Sequence, residues 1–441
     1  MFPKLLRTTT GPPETGALQN IMKTSDLEGP HQATRRTRPY LSPRRPAKRR
    51  RYVIGHLRLH RTIALALLTG STARASEFSP WSSPSAEEKK ALDAWWQAAT
   101  LYKNPENPIL QEFKLRGRYQ GQYHDVDASQ GSDGDWEDRR SRIGFDAKLF
   151  SSRLEIRADF QSNDGFLDGY DGLVDAYLRW KATDTLSISA GRMKPFVGWY
   201  DWLQSSNDQP TFERSQVFNQ LAVDRATGIA LEGAHGKLSW QFGLYSNAVD
   251  PDRNSLSDAF GNFNGSWSVA GGVGYDITSW TPWNSSAIHL HWLHSGSDPE
   301  DGVLNRYQDI VSLTWQAADG PWTLVAEGFL ATGGTGTDGD VVGGFVQGTW
   351  DIIPGRLQGV GRISAASGDG PNSLRGQRRY ETTVSAVRGD HYHSLYLGAQ
   401  YFIHGHKLKL MGGVEYAAMG GGAANREYDG FTWLSGVRFA F

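Results

Sequence analysis

Over most of the chain, apolar and polar side chains alternate along short segments, as they do in β-strands that present two different faces. In FKLRGRYQGQY (113–123), large apolar residues alternate with charged or amide residues. RRSRIGFDAKLF (139–150) and RLEIRADF (153–160) repeat this alternation. The segment FTWLSGVRFAF (431–441) presents mostly aromatic residues at its odd positions and Arg438 on the other face. This period of two predicts strands with one apolar and one polar face.

Sixteen such strands are predicted, and the connections between them alternate in length. Their approximate centres are 118, 145, 156, 177, 189, 229, 242, 271, 291, 312, 326, 346, 360, 397, 411 and 436. The short connections are 151–152, 182–185, 235–237, 278–283, 317–321, 353–356 and 403–406. The long, polar connections are 125–138, 162–172, 195–225, 246–266, 295–305, 331–340, 364–391 and 418–429. This alternation predicts an up-and-down meander with tight turns at one end and loops at the other.

Two architectures can hold such a meander: a soluble β-sandwich and a transmembrane β-barrel. Glycine is abundant (51 residues), 12% of residues are aromatic, and no run of 18 apolar residues exists. The last point excludes membrane-spanning helices. The even strand number and aromatic final strand favour a barrel, since closure leaves no unpaired backbone in lipid. We therefore predict an all-β, 16-stranded antiparallel up-and-down transmembrane β-barrel over residues 111–441, with short periplasmic turns, long extracellular loops and a water-filled interior.

The N-terminal part of the chain has a different composition. Residues 1–75 carry 15 Lys and Arg against 3 Asp and Glu, whereas the remainder carries 31 against 44. Arg61 precedes the short apolar run TIALALLTG (62–70), and Ala75 closes an A-x-A sequence, which is typical of a secretory signal peptide. We predict a signal peptide at 53–75, cleaved after Ala75, and a mis-annotated or disordered extension at 1–52. The alternative is a disordered basic arm.

Residues 76–110 are predicted to form a short periplasmic helix and a linker. SAEEKKALDAWWQAATLY (85–102) consists of good helix formers and begins with Ser85 and Glu88 at the spacing of a capping box. The prolines of NPENP (104–108) then end the helix.

Charged residues are concentrated on the polar face of the first three strands, where they are predicted to form a positive wall facing the lumen. Guanidinium groups bind oxyanions bidentately and stay charged at any relevant pH. In the alternative interpretation, these charges solvate the pore and pair with acids such as Asp146, Asp159 and Asp175 on the same wall. The candidate anion-binding residues are Lys114, Arg116, Arg118, Arg140, Arg142, Lys148 and Arg157.

No catalytic or cofactor site is predicted. The chain has no cysteine, and neither a G-x-S-x-G elbow nor a phosphate-binding P-loop is found. The pairs His289/His291 and His391/His393 each share a strand face, but no third metal ligand follows from the sequence. These histidines are predicted to face the lumen, with no metal, no cofactor and no nucleic acid bound.

The stretch GRMKPFVGWYDWLQSSNDQPTFERSQVFNQLAVDRATGIALEG (191–233) resembles the signature of the phosphate-selective porin O and P family. RRSRIGFDAKLF, LEIRADF and VDAYLRW (174–180) resemble strands of the same family. The resemblance implies passive diffusion of anions through a trimeric, sixteen-stranded barrel whose third long loop folds into the lumen. That loop would be 195–225, and it adds three candidate residues to the pore lining: Lys194, Arg214 and Arg225.

The function hypothesis is therefore an outer-membrane porin for small anions. In its most specific version, the solute is phosphate or polyphosphate. The alternatives are a general-diffusion porin for small hydrophilic solutes and, in a different class, an exported β-protein such as an adhesin or an outer-membrane hydrolase. Expected partners are outer-membrane lipid, lipopolysaccharide, two further copies in a homotrimer, and the barrel-assembly machinery through Phe441. The closing strand is predicted to pair with residues 113–123.

Overall fold

The computed structural model describes residues 82–163, 166, 168–221, 223–246, 260, 267–296, 306–334, 338–422 and 426–441. The extension at 1–52 and the signal peptide at 53–75 lie outside the described residues, and both stay predictions.

Sixteen strands form a closed antiparallel barrel, in which each strand pairs with the next along the chain and β16 pairs with β1. The strands are β1 Leu110–Ala128, β2 Gly131–Leu149, β3 Leu154–Asn163, β4 Asp168–Lys181, β5 Leu186–Met193, β6 Ala226–His235, β7 Leu238–Ser246, β8 Trp267–Asp276, β9 Ser285–Ser295, β10 Asp309–Asp319, β11 Trp322–Thr332, β12 Val341–Ile353, β13 Leu357–Gly368, β14 His391–His404, β15 Leu408–Gly420 and β16 Tyr428–Ala440. The predicted fold class and strand number are confirmed.

The remaining elements are short. They are helix α1 Ala86–Gln97, the strands Thr100–Lys103, Leu374–Arg375 and Arg388–Gly389, and the helical turns Trp199–Leu203, Gln216–Asn219, Thr278–Trp280 and Glu381–Val384. Among the residues described, no helix is both long and apolar enough to cross a membrane.

The alternation along each strand separates an outer apolar face from an inner polar one. On β9, Ile288, Leu290 and Trp292 are 38%, 49% and 41% exposed on the outside, whereas His289 and His291 are buried on the inside. β16 follows the same rule, since its odd-numbered aromatic residues face outward and Arg438 faces inward. The outer face therefore suits lipid, and the polar groups line the lumen.

The two ends of the barrel differ as predicted, except at two loops. Gly236 and Gly320 have φ values of 59° and 54° in tight turns, a conformation that glycine adopts without strain. The predicted loops 125–138 and 162–172 are wrong: β1 and β2 run to a turn at 129–130, and β3 and β4 are separated only by 164–167. A transmembrane strand needs about 9–11 residues. Where longer strands project into water, both faces can be polar, so these segments lack the alternation used to find strands.

Helix α1 starts as predicted and closes the N-terminal side of the barrel seam. Ser85 caps it, since its Oγ accepts from the Glu88 N–H at 3.1 Å. The helix ends at Gln97, earlier than predicted, because residues 100–103 pair with β1 as a strand. β16 pairs with residues 118–128 of β1 instead of 113–123, and the N-terminal strand covers the part of β1 that β16 leaves free.

Candidate functional site

Residues 194–225, between β5 and β6, fold into the barrel and are called here the constriction loop. The loop is bonded to the inner wall on several sides. The Trp199 N–H donates to Glu327 of β11 at 3.1 Å, and Ser215 donates to Ser364 of β13 at 2.9 Å. On the opposite side, Arg118 of β1 donates to the Ser206 hydroxyl at 2.6 Å. The inward position implied for this loop is confirmed.

Arg362 on β13 anchors the middle of the constriction loop. Its Nη1 donates to the Tyr200 hydroxyl (3.1 Å), to Thr211 Oγ1 (3.1 Å) and to the backbone oxygen of Glu213 (2.9 Å). Its Nη2 donates to Glu415 of β15 at 3.2 Å. The guanidinium is buried, and its charge is compensated by a carboxylate and by oriented oxygens, as buried charges require.

The base of the constriction loop is held by ion pairs that use all three cations predicted for it. Asp201 contacts both Lys194 and Arg214, the latter at 2.7 Å, and Arg225 contacts Asp175 of β4 at 2.7 Å. Burial, reinforced by the charge of Arg214, lowers the pKa of Lys194 to about 7. Burial opposes the ionisation of Asp201, but the two cations outweigh it and hold its pKa below the usual value. These three cations are therefore tied into the loop, and their charge is neutralised locally.

Several predicted cations on the wall of β1–β3 are likewise paired with acids. Arg116 and Arg157 both contact Asp146, at 2.7 and 2.8 Å. Lys148 contacts Glu112 at 3.0 Å. The geometry of these side chains follows the alternative interpretation, in which lumenal cations pair with acids on the same wall.

Three arginines of the same wall lack an acidic partner, and we call them the arginine cluster: Arg118, Arg140 and Arg142. Arg118 and Arg142 are direct partners across β1 and β2. Arg140 donates to Gln120 Oε1 at 2.7 Å, and Arg142 donates to Gln161 Oε1 at 3.0 Å. Within the described part of the chain, no carboxylate lies within 4 Å of any of the three guanidinium groups. The cluster therefore places three arginines beside the constriction loop that make no direct contact with a carboxylate of the described residues.

A cavity of about 450 Å³ opens in front of the arginine cluster. It lies between the wall of β1–β3, the constriction loop at Asn207, and helix α1 at Trp96. Arg118, Arg142 and the predicted Lys114 line it, and Lys114 also has no acidic partner within 4 Å among the described residues. Lys114, Arg118 and Arg142 therefore lie next to the loop that narrows the channel, and their role in anion binding stays a prediction.

The strict alternation of the first strands led the prediction to miss Arg139. β1 pairs with Arg140 and next with Asp138, so Arg139 is the extra residue of a β-bulge. The bulge turns its side chain inward, where Nη2 donates to Glu213 of the constriction loop at 2.9 Å. Burial opposes ionisation of that carboxyl, but Arg139 outweighs it and keeps the pKa of Glu213 well below its usual value. No local sequence signal distinguishes this bulge.

Lys409 on β15 and Arg438 on β16 complete the contacts to the loop backbone. Lys409 donates to the Gln209 oxygen at 3.0 Å, and Arg438 donates to the Phe212 oxygen at 3.2 Å. The inward direction of Arg438 was predicted, whereas Lys409 and Arg362 were missed. Lys409 and Arg362 occupy inner positions of their strands, so the alternation of apolar and polar residues predicts that they face the lumen.

A second long loop, residues 369–390 between β13 and β14, packs against the constriction loop from the extracellular side. Gln216 and Gln220 both donate to the Arg375 backbone oxygen at 2.8 Å. Gln122 of β1 donates to the Tyr380 hydroxyl at 2.6 Å. Two loops in contact therefore shape the extracellular entrance.

Loop 369–390 contains a buried carboxyl, Glu381, which predicts a pH-dependent change in the entrance. Glu381 accepts from the Gln377 N–H (2.6 Å) and the Tyr392 hydroxyl (2.8 Å), and burial raises its pKa to about 7. The docked loop is therefore fully stable below the ordinary glutamate pKa of 4.5 and loses stability as the pH rises through about 7. In single-channel recordings from pH 5 to 9, we expect closures and current noise to increase as the pH rises from 5 to 7 and to level off above pH 7. Glu381→Gln should flatten this dependence, and an unchanged dependence in that variant would contradict the assignment.

The two histidine pairs lie on opposite faces of the barrel wall. His289 and His291 face the lumen as predicted, but His391 and His393 are exposed on the outer face, so that part of the prediction is wrong. Among the described residues, no group of three or more possible ligands gathers around one point.

The model of the family described as phosphate-selective porin O and P matches residues 113–421. No curated protein sequence matches the chain. Solved porin structures share its fold at low identity. OprB of Pseudomonas putida is 10% identical with a TM-score of 0.52, over 75% of this chain and 94% of that one. OmpF of Salmonella typhi is 14% identical with a TM-score of 0.54, over 78% and 100%. The anion-selective porin of Comamonas acidovorans is 15% identical with a TM-score of 0.50, over 75% and 99%.

The family match covers more than half of the chain and includes the constriction loop and the arginine cluster. The closed antiparallel barrel is also the fold of the solved porin structures. This chain belongs to the phosphate-selective porin O and P family, and it is an outer-membrane porin.

Proposed function

We propose that this porin conducts small anions in preference to cations, and that the arginine cluster is the position where a permeating anion is bound. The observation that carries the proposal is the absence of acidic partners for Arg118, Arg140 and Arg142 among the described residues. Other lumenal cations, such as Arg116 and Arg157, are neutralised by carboxylates.

The physical reason is electrostatic. Three guanidinium groups held close together repel one another, and an oxyanion relieves this repulsion while accepting forked hydrogen bonds. Their present hydrogen-bond partners are neutral oxygens such as Gln120 Oε1. An anion can therefore bind these arginines without competing with a carboxylate that is already bonded to them. Conduction also needs weak binding at more than one site. Lys114, on the periplasmic side of the cluster, offers the next positive position along the wall.

Inorganic phosphate is the solute that we propose first. The family description names it, and the porin of Comamonas acidovorans is described as anion-selective, which supports the broader class. In planar bilayers with a KCl gradient, the reversal potential should have the sign of an anion channel. Millimolar phosphate should then reduce the chloride current, because the two anions compete for the cluster. Cation selectivity would overturn the proposal, whereas anion selectivity without competition would reject phosphate alone.

We further propose that the protein assembles as a homotrimer among outer-membrane lipid and lipopolysaccharide, and that Phe441 is recognised by the barrel-assembly machinery. The terminal residue closes the seam, where its N–H and C=O bond to Gly117 at 3.0 and 3.2 Å. Migration of unheated protein as a monomer in detergent would contradict the trimer.

A further inference from the structure

A second cavity, of about 330 Å³, lies across the constriction loop from the arginine cluster and is called here the glutamine chamber. One side is the inner wall of β10–β13, and the other is the loop segment from Trp199 to Pro210. The volume falls within the range of about 300–1,000 Å³ that is usual for small-molecule sites.

The wall of the chamber combines apolar side chains with uncharged polar ones. Gln316 and Gln347 supply amides, and Thr323 and Thr349 supply hydroxyls that face each other across β11 and β12. Gln347 uses its Oε1 to accept from Tyr200, and Gln316 uses its Nε2 toward His289. The Gln347 amide N–H₂ and the Gln316 Oε1 have no hydrogen-bond partner among the described residues. A donor on β12 and an acceptor on β10, two strands of the same wall with β11 between them, therefore remain available.

Trp199 gives the chamber an apolar surface in a fixed orientation. Its backbone N–H is bonded to Glu327 at 3.1 Å, and its indole N–H is bonded to Gln204 Oε1 at 3.1 Å. With both N–H groups engaged, the half-buried ring offers only its carbon face to the cavity. A large rigid aromatic face next to the free groups of two amides suits a ligand that has both C–H and O–H groups.

The charge of the two cavities differs sharply. The cavity in front of the arginine cluster is lined by five basic residues and two acidic ones: Lys114, Arg116, Arg118, Arg142 and Lys407, with Asp93 and Asp159. Among the described residues, neither lysine nor arginine lines the glutamine chamber. Its ionisable groups are Asp208 and His406, whose nearest atoms are 3.9 Å apart. An anion that enters this chamber would lose hydration without gaining a basic side chain from the described lining. A neutral solute carries no charge, so its entry has no such desolvation cost.

We propose that the glutamine chamber binds a neutral polyhydroxylated solute of saccharide type, stacked on Trp199 and hydrogen-bonded to Gln316 and Gln347. The porin thus has two separate solute sites on either side of the constriction loop, one for anions and one for sugars. The sugar site rests on the cavity and its lining, and it holds whether or not the channel prefers anions.

The test is the flux of radiolabelled D-glucose into proteoliposomes that contain the full-length porin, with urea as a neutral reference solute. Wild-type glucose flux should saturate with concentration, while urea flux stays linear. Trp199→Ala should raise the half-saturating glucose concentration by about tenfold, and Trp199→Phe should raise it less, since an aromatic face remains. Gln316→Leu, which removes the free acceptor without touching the loop, should also weaken saturation.

The controls separate this proposal from the anion site. Arg142→Ala should leave glucose saturation unchanged while it alters the reversal potential in KCl. If Trp199→Ala changes the KCl conductance, the constriction loop has moved in that variant. The glucose flux of Gln316→Leu then tests the sugar site. Linear glucose flux in the wild type, or equal saturation in the wild type and Gln316→Leu, overturns the sugar site without affecting the anion proposal.

Discussion

Replacing Arg118, Arg140 and Arg142 together with alanine is expected to remove most of the anion preference of the channel. At 4 Å in a water-like medium, one unit charge contributes about 1 kcal/mol to the energy of a passing ion. Loss of the cluster should therefore lower the anion-to-cation permeability ratio by about fivefold or more. The measurement is the reversal potential in a KCl gradient, which should move toward the cation side. High salt should shrink the effect, because it screens charges in an aqueous pore.

A matched pair of single variants tests whether position or total charge matters. Arg142→Ala removes an arginine that has no acidic partner, whereas Arg179→Ala removes a lumenal arginine paired with Glu232 at 2.9 Å. Both lower the lumenal charge by one unit. We expect a larger shift for Arg142→Ala, since it lies beside the constriction loop. Equal shifts would show that selectivity follows the summed charge and would remove the special role of the cluster.

Replacing Arg362 with leucine is expected to release the constriction loop and raise the single-channel conductance. The substitution removes the bonds to Tyr200, Thr211 and Glu213, and it leaves Glu415 buried without its cation. Breaking a buried ion pair in this way costs about 3–5 kcal/mol. Conductance and current noise in planar bilayers show whether the constriction loop has been released. The temperature at which the barrel unfolds on heated gels measures the stability of the variant.

The double variant Arg362→Leu/Glu415→Leu separates the release of the constriction loop from the loss of stability. Removing both partners avoids the uncompensated carboxylate, so much of the lost stability should return. The loop would still lack its anchor, and the conductance should stay high. Conductance at the wild-type level in both variants would show that the remaining contacts, including Trp199 to Glu327, hold the loop without Arg362.

The barrel itself was predictable because lipid and water impose opposite demands on alternate residues. Ile288 and Leu290 face lipid while His289 and His291 face the lumen, and this contrast recurs along most strands. Where a strand leaves the bilayer, the contrast disappears. The polar segment at 125–138 was therefore predicted to be a loop, although hydrogen bonding between β1 and β2 continues to the turn at 129–130.

The site was predictable only as a set of candidates. The alternation placed Arg116, Arg118 and Arg142 on one face, but it could not tell which of them meets a carboxylate from another strand. Arg116 is neutralised by Asp146 and Asp159, which are distant in sequence. Arg118 and Arg142 instead meet neutral oxygens. This difference between a bound and an available charge depends on pairing across strands.

The strand number, the facing of most strands and the presence of a long third loop follow from the amino-acid sequence alone, because local periodicity and turn chemistry set them. The face of His391 and His393 on β14 is an exception. Three features follow only from the folded arrangement of the strands: the inward bulge at Arg139, the anchoring of the loop by Arg362, and two cavities of different charge on either side of that loop. These features depend on the register between strands and on contacts between residues far apart in the chain. Local patterns carry no information about such distances.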